Sequence, residues 1–193
     1  MAHKEQWIFC RKVKQLYPEY FMNKKVLDIG SFDVNGNEEF LFENCDFVGL
    51  DIGEGPGVDI VCPAQDYNAP DETFDTIISC ECWEHNPFYK ESIQNAIRML
   101  KEDGLFLFTC ATTGRPVHGV SYLEEQCSNQ HSNWITMPNV KCENWNNDYY
   151  ANVTENDIRE SIDVDNVFDN YAFEVEENHC DLYFWGIKKT KDK

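Results

Sequence analysis

A chain of 193 residues with 42% hydrophobic and 14% aromatic content can bury one sizeable core and is too short for two ordinary domains, so residues 1–193 are expected to form a single domain. Sixteen Lys and Arg against 35 Asp and Glu leave a formal charge of -19, which repels phosphate backbones and anionic bilayers and disfavours nucleic acid and membranes as partners. The nine cysteines form an odd set without a zinc-like pair of CxxC motifs, and the N-terminus carries only the brief apolar run Trp7 to Cys10, so a reduced, cytoplasmic chain without signal peptide or membrane span is expected.

Residues 4 to 16 place Trp7, Ile8, Val13 and Leu16 among Lys, Glu and Gln at roughly helical spacing, and Pro18 ends the run. Residues 1–23 therefore read as a packing or lid helix. Apolar runs recur at Lys25 to Ile29, Phe47 to Asp51, Val58 to Cys62, Phe74 to Ser79 and Leu105 to Cys110, the pattern of an α/β fold with a parallel sheet of crossover units. A helix is expected from Asn86-Pro87, with Tyr89, Ile93, Ile97 and Leu100 on one face, until Asp103-Gly104 turns the chain. Residues 113–152 are rich in Asn, Gly, Pro, Trp and Tyr without a sustained period, and read as a long functional loop. Thr154-Glu155-Asn156-Asp157 has the form of a capped helix start. Ala172 to Glu177 and Leu182 to Ile187 read as antiparallel neighbours, with the glutamates of the first on the exposed face of an edge strand.

The stretch Val26 to Gly36 is an apolar strand that breaks into a small-residue loop, and Asp51 follows Asp28 by 23 positions. In an open parallel sheet the ligand crevice lies outside the carboxyl ends of the strands, and a carboxylate at the end of the second strand can accept both ribose hydroxyls of an adenosine. A dinucleotide loop needs glycine where Phe32 stands, which disfavours a nicotinamide or flavin dinucleotide. These segments, with Ala64-Gln65-Asp66, Phe74 to Ser79 and Met99 to Leu105, resemble in order the successive motifs of class I S-adenosylmethionine-dependent methyltransferases. The resemblance implies a three-layer αβα Rossmann-like sandwich whose mostly parallel seven-stranded sheet has an antiparallel C-terminal strand. Residues 24–112 would form the cofactor core, 113–152 the substrate region and 153–193 a C-terminal helix and strand hairpin. It also implies S-adenosylmethionine as cofactor. Asp28, Gly30 and Ser31 would face its methionine part, Asp51 the ribose, Ile52 the adenine ring, and Asp66 with Gln65 the adenine amino group. Ser79, Cys80 and Glu81 would border the methyl group. Phe32 and Val34 stand where glycine is common in the family, so this loop is expected to have its own shape.

A sulfonium methyl needs little beyond a nucleophile placed in line with it, and a hydroxyl acceptor also needs a base or a metal. Glu81, Glu84 and His85 share one face of a helical turn, and two carboxylates with an imidazole suit a divalent cation. The E-x-x-E-H pattern is similar to the Mg2+ site of certain O-methyltransferases. The same letters also occur in metal-free relatives, where they shape the pocket. His118 can supply a fourth ligand or a general base, or be a loop histidine bonded to the backbone. Trp83 reads as a pocket wall or a partner for the sulfonium, and Cys80 and Cys82 as packing residues. The acceptor expected is a small or medium-sized molecule methylated on O or N, neutral or cationic because of the chain's charge, lined by Trp134, Trp145, Tyr149 and Tyr150. The alternatives are a non-catalytic cofactor-binding protein of the same fold and, less favoured, an NAD-type oxidoreductase.

Overall fold

In the computed structural model the described residues are 4–34, 36–119 and 149–190, so Trp134, Trp145, Cys127 and Cys142 lie outside them. The apolar runs become seven strands: β1 (Lys25–Ile29), β2 (Asp46–Asp51), β3 (Ile60–Val61), β4 (Phe74–Cys80), β5 (Leu100–Ala111), β6 (Phe168–Glu176) and β7 (Asp181–Lys188). They form one sheet in the order β3-β2-β1-β4-β5-β7-β6. Strands β1 to β5 pair in parallel, and β7 runs antiparallel to both β5 and β6. Strand order therefore reverses between β1 and β4, and a crevice opens at their carboxyl ends. This is the architecture that the family resemblance implied.

Side chains alternate between the two faces. Leu27, Ile29, Ile77, Phe106, Phe108 and Phe184 pack on one side with residues of α2 (Tyr89–Met99) and α3 (Glu155–Ser161). Val26, Ile78, Leu105, Leu107, Tyr183 and Trp185 pack on the other with Phe9, Cys10 and Val13 of α1 (Lys4–Leu16). Between β1 and β2 the described residues hold only the 3-10 turn Glu39–Leu41, so α1 supplies much of the cover of that face.

Several local expectations are corrected. The buried stripe of α1 is Gln6, Phe9, Cys10 and Val13, spaced i, i+3, i+4 and i+7, whereas Ile8 and Leu16 are 54% and 55% exposed. Asn86 does not cap α2: its side chain accepts from Phe88 N at 2.8 Å in a tight turn, and the helix begins at Tyr89. The third strand shrinks to two residues because Asp59 is tied to Gly49, donating its N–H to the carbonyl and accepting the Gly49 N–H on its side chain. In the acidic run of β6 Val175 points outward, 60% exposed, while Glu174 pairs with Lys12 of α1 at 2.7 Å. Thr154 caps α3 as expected, in a reciprocal box with Asp157. No helix among the described residues is long and apolar enough to cross a membrane.

Candidate active site

The carboxyl end of β1 runs into Gly30, whose φ of +84° suits glycine and whose ideal Cβ would lie 2.7 Å from Cβ of Cys82. The chain after β2 folds back over this turn: Asp33 N donates to Pro56 O at 2.8 Å, and the Phe32 ring lies on Gly55. Phe32 thus fills space above the second loop where a glycine would leave the backbone open. Asp33 caps its own turn by accepting from Gly36 N at 2.6 Å. Asp51 joins the two loops. It is 5% exposed, and its carboxylate accepts from the backbone N–H groups of Phe32 (3.1 Å), Ile52 (2.7 Å) and Gly53 (3.2 Å). Burial raises its pKa and those three donors pull the other way, so they favour the ionised form.

Asp28 is 3% exposed, and the Ser31 hydroxyl is buried without a hydrogen-bond partner among the described residues. Beside Asp28 stands Glu38, also 3% exposed, which accepts from Gln6 Nε2 of α1 at 2.6 Å. Burial, then Glu38 and Asp51, hold the Asp28 carboxyl well above the usual carboxylate range, and burial pushes Glu38 up to about 7. Neither Glu38 nor Gln6 was singled out in the sequence. The available signal was a glutamine on the buried stripe of a helix.

The other expected contacts divide. Ser79 is fully buried, and its hydroxyl donates to the Ile29 carbonyl at 2.8 Å, tying β4 to β1. Cys80 lies on the α1 face among Cys10 and Glu38, and burial raises its pKa. Ile52 is partly exposed at the rim, and Asp66 is exposed on the next loop. Gln65 accepts from Ser92 Oγ at 3.2 Å, which anchors that loop to α2. Trp83 is a core residue: it is fully buried and meets the Phe108 ring at 6.3 Å edge-on.

Beyond β4 the expected helical turn is a 3-10 turn, Trp83–His85, and Glu81 precedes it with φ of +54°. Glu81 accepts from Thr109 Oγ1 of β5 at 2.9 Å, and its charge is near enough to add to burial in raising the Glu84 carboxyl. The groups that converge are Glu84, His85 and His118, whose ligating atoms all lie within 4.8 Å of one another. Glu84 Oε1 accepts from Ala111 N at 3.2 Å, and Oε2 is buried without a partner among the described residues. Nδ1 of His118 donates to the Pro116 carbonyl at 3.0 Å, and the His85 ring is bonded to the Tyr149 backbone, so each imidazole keeps one nitrogen for a ligand. Tyr150 closes the group, with ring centroids 5.4 Å from His85 and 4.9 Å from His118.

Burial pushes Glu84 up to about 8 and His85 down to about 3, and lowers His118 as well. Carboxyls raised this way keep their proton in the folded chain after the unfolded chain has lost it, so stability is lost as pH rises through their folded values. The buried histidines act oppositely, but only below their ordinary value of 6.5. Between about pH 6.5 and 8.5 the carboxyls alone operate, and unfolding free energy is expected to fall by roughly 1–3 kcal/mol, measurable by urea titration. A flat or rising profile would contradict the assigned burial of Glu38 and Glu84.

Comparison with known proteins bears on the fold and the family. Residues 1–183 match the model of a family described as a methyltransferase domain, while no curated protein sequence matches the chain. The fold is similar to that of 1,6-didemethyltoxoflavin-N1-methyltransferase from Burkholderia thailandensis, solved with bound 1,6-didemethyltoxoflavin and S-adenosylhomocysteine: TM-score 0.61, 14% identity, covering 96% of this chain and 80% of that one. It is also similar to phosphoethanolamine N-methyltransferase 2 from Haemonchus contortus, solved with S-adenosyl-L-methionine, at TM-score 0.62 and 14% identity, with 96% of this chain matching 52% of that one. The PH0226 protein of Pyrococcus horikoshii gives TM-score 0.60 at 17% identity, over 97% and 92% of the two chains. At these identities the structures speak for the fold. The family match extends over nearly the whole chain, and the chain belongs to the methyltransferase domain family as a class I, S-adenosylmethionine-dependent methyltransferase.

Proposed function

We propose that the protein transfers the cofactor's methyl group to an oxygen or nitrogen of a small or medium-sized acceptor, at the carboxyl ends of β4 and β5. The observation that carries this reading is the convergence of Glu84, His85 and His118 beside the crevice at the end of β4. The buried residues of the crevice fit the cofactor: Asp51 suits a ribose, Gly30 admits close approach, and Asp28 and Ser31 have polar atoms to offer at the methionine end. S-adenosylmethionine supplies an electrophilic sulfonium methyl. Its sulfur would be the leaving group as the acceptor's lone pair takes that methyl. The acceptor must shed a proton, and the free Nε2 of His118 is placed to take it. His85, held neutral by burial, orients the acceptor with Tyr150, and Glu81 is fixed by Thr109 where it borders the methyl. Incubation with S-adenosylmethionine and a panel of hydroxyl and amine acceptors should yield S-adenosylhomocysteine and a methylated product. Cofactor binding without turnover across the panel would favour the non-catalytic alternative. Tight NAD binding in place of the cofactor would overturn the reading.

A second reading is favoured by the unpartnered Oε2 of Glu84 and the two imidazoles with one free nitrogen each: these three residues would hold a divalent cation such as Mg2+, which acidifies a hydroxyl acceptor. Glu81, held at Thr109, is outside this set. Mn2+ added to chelator-treated protein is then expected to bind one per chain by calorimetry, and Glu84→Gln or His118→Ala to weaken it at least about tenfold. Absence of binding to the unsubstituted protein leaves His118 as the base.

A further inference from the structure

We propose that Arg115, paired with Asp181, is the positioning residue of His118: it fixes the loop that carries this imidazole against the turn between β6 and β7. The assignment rests on His118 being the base of the methyl transfer and adds what holds that base in place. His118 stands on a loop that leaves the end of β5, and a base on a loop is only as well placed as the loop's anchors. The bond from its Nδ1 to the Pro116 carbonyl at 3.0 Å sets the ring within the loop but does not hold the loop.

Arg115 supplies that hold with its main chain and its side chain together. Its N–H donates to the Thr112 carbonyl at 3.0 Å and closes a turn, whose first residue donates its own N–H to the Cys180 carbonyl at 2.8 Å. Within this turn a Cβ on Gly114 would lie 3.0 Å from Cys180 Sγ, so the loop rests directly on the β6–β7 turn. The guanidinium reaches the same turn: Nη1 donates to the His179 carbonyl at 2.6 Å and lies 3.5 Å from Oδ1 of Asp181, the fully buried first residue of β7. Asp181 is a rigid post, because it is paired opposite Ala111 of β5 and Glu176 of β6. The Arg115 side chain is only 20% exposed, so this is not the solvent-screened kind of ion pair that contributes little. On the other side the Arg115 carbonyl accepts from Asn152 Nδ2 at 3.1 Å, and Asn152 Oδ1 accepts from the Tyr150 hydroxyl at 2.8 Å. Tyr150 in turn packs edge-on to His118, with ring centroids 4.9 Å apart. One residue thus ties the base to the sheet and to the ring that packs beside it. A planar guanidinium holds a carbonyl and a carboxylate in one fixed direction, which the point charge of a lysine does not.

The test is the double variant Arg115→Met/Asp181→Leu, which removes both charges together and leaves neither buried alone. Its melting temperature is expected within roughly 3 °C of the unsubstituted protein's, since exchanging a buried ion pair for apolar groups is often neutral. Two readouts then separate positioning from folding. Methyl transfer to a member of the hydroxyl and amine panel should show kcat lowered about 10- to 100-fold, with KM and S-adenosylhomocysteine affinity within about threefold. Long-range proton–nitrogen NMR at roughly pH 8, where histidine is neutral, should show His118 as the Nδ1–H tautomer alone in the unsubstituted protein and as a mixture in the variant. Arg115→Lys keeps the charge beside Asp181 without the planar fork. It should show both changes in smaller measure, and it decides the matter if the double variant does not fold. An unchanged His118 spectrum or an undiminished kcat in a folded variant overturns the assignment alone. Absence of turnover by the unsubstituted protein, or full turnover by His118→Ala, overturns the reading of His118 as base and the assignment with it.

Discussion

Asp51→Ala is expected to weaken S-adenosylhomocysteine binding by at least about two orders of magnitude, the effect of losing two hydrogen bonds from ribose hydroxyls to a charged acceptor. The loss has a second source. The same carboxylate accepts from Phe32, Ile52 and Gly53, so removing it leaves three backbone donors without their acceptor and frees both loops to separate. Asp51→Asn distinguishes the two contributions. One of its atoms becomes a donor, so one of the three backbone bonds and one ribose bond are lost together, and an intermediate affinity is expected. Calorimetry paired with thermal melts would measure both. Affinity reduced by less than about tenfold in a folded Asp51→Ala protein would mean that Asp51 holds the loops and does not read the ribose.

Gly49→Ala should be the most damaging single-methyl change to the fold itself. A Cβ there would press on the Gly57 carbonyl oxygen, well inside contact distance, and lie 2.7 Å from Ser31 Oγ. The Gly57 oxygen is backbone and cannot rotate away. Gly49 is also clipped from both sides by Asp59, through a 2.8 Å bond to its N–H and a 2.9 Å bond to its carbonyl, so the loop cannot lift without breaking those bonds. Overpacking of this kind costs about 3 kcal/mol or more, which for a chain of this size lowers the melting temperature by roughly 6–12 °C. Differential scanning calorimetry reads it directly, and a shift below about 2 °C would show that the loop is looser than its hydrogen bonds indicate.

The two substitutions also mark what a sequence can and cannot disclose. Strand β1 lies at the bounds its apolar run predicts, and Gly30 and Asp51 stand where the strand-loop-acid spacing puts them, because these signals are local. Thr154 was legible for the same reason, since its partner Asp157 is three residues away. Glu38 was not. Its burial depends on α1 crossing the sheet face, a contact between residues 32 positions apart that leaves no periodic trace. The stripe of α1 departs from its apolar letters because Ile8 and Leu16 are apolar yet outward-facing, while the inward Gln6 is polar and is bonded to the buried Glu38. At Glu81, Glu84 and His85 the letters suggested one helical face, but the left-handed backbone at Glu81 turns that residue toward β5 and leaves the other two to meet His118 from a distant loop.

The position of β7 bears on how the molecule is made. It is the last strand among the described residues, yet it sits inside the sheet, with β5 on one side and β6 on the other. During translation β1 to β5 can assemble while the ribosome still holds the C-terminal residues, but β5 then presents an unpaired edge and bare faces of Phe106 and Phe108 until Asp181–Lys188 emerges. The hairpin of β6 and β7 is local in sequence and can form first, docking afterwards as a preassembled unit along Leu105 to Ala111 of β5. A nascent chain stalled before Asp181 would therefore be a client for chaperones, with an aromatic strand edge ready to pair with its neighbours on the same message.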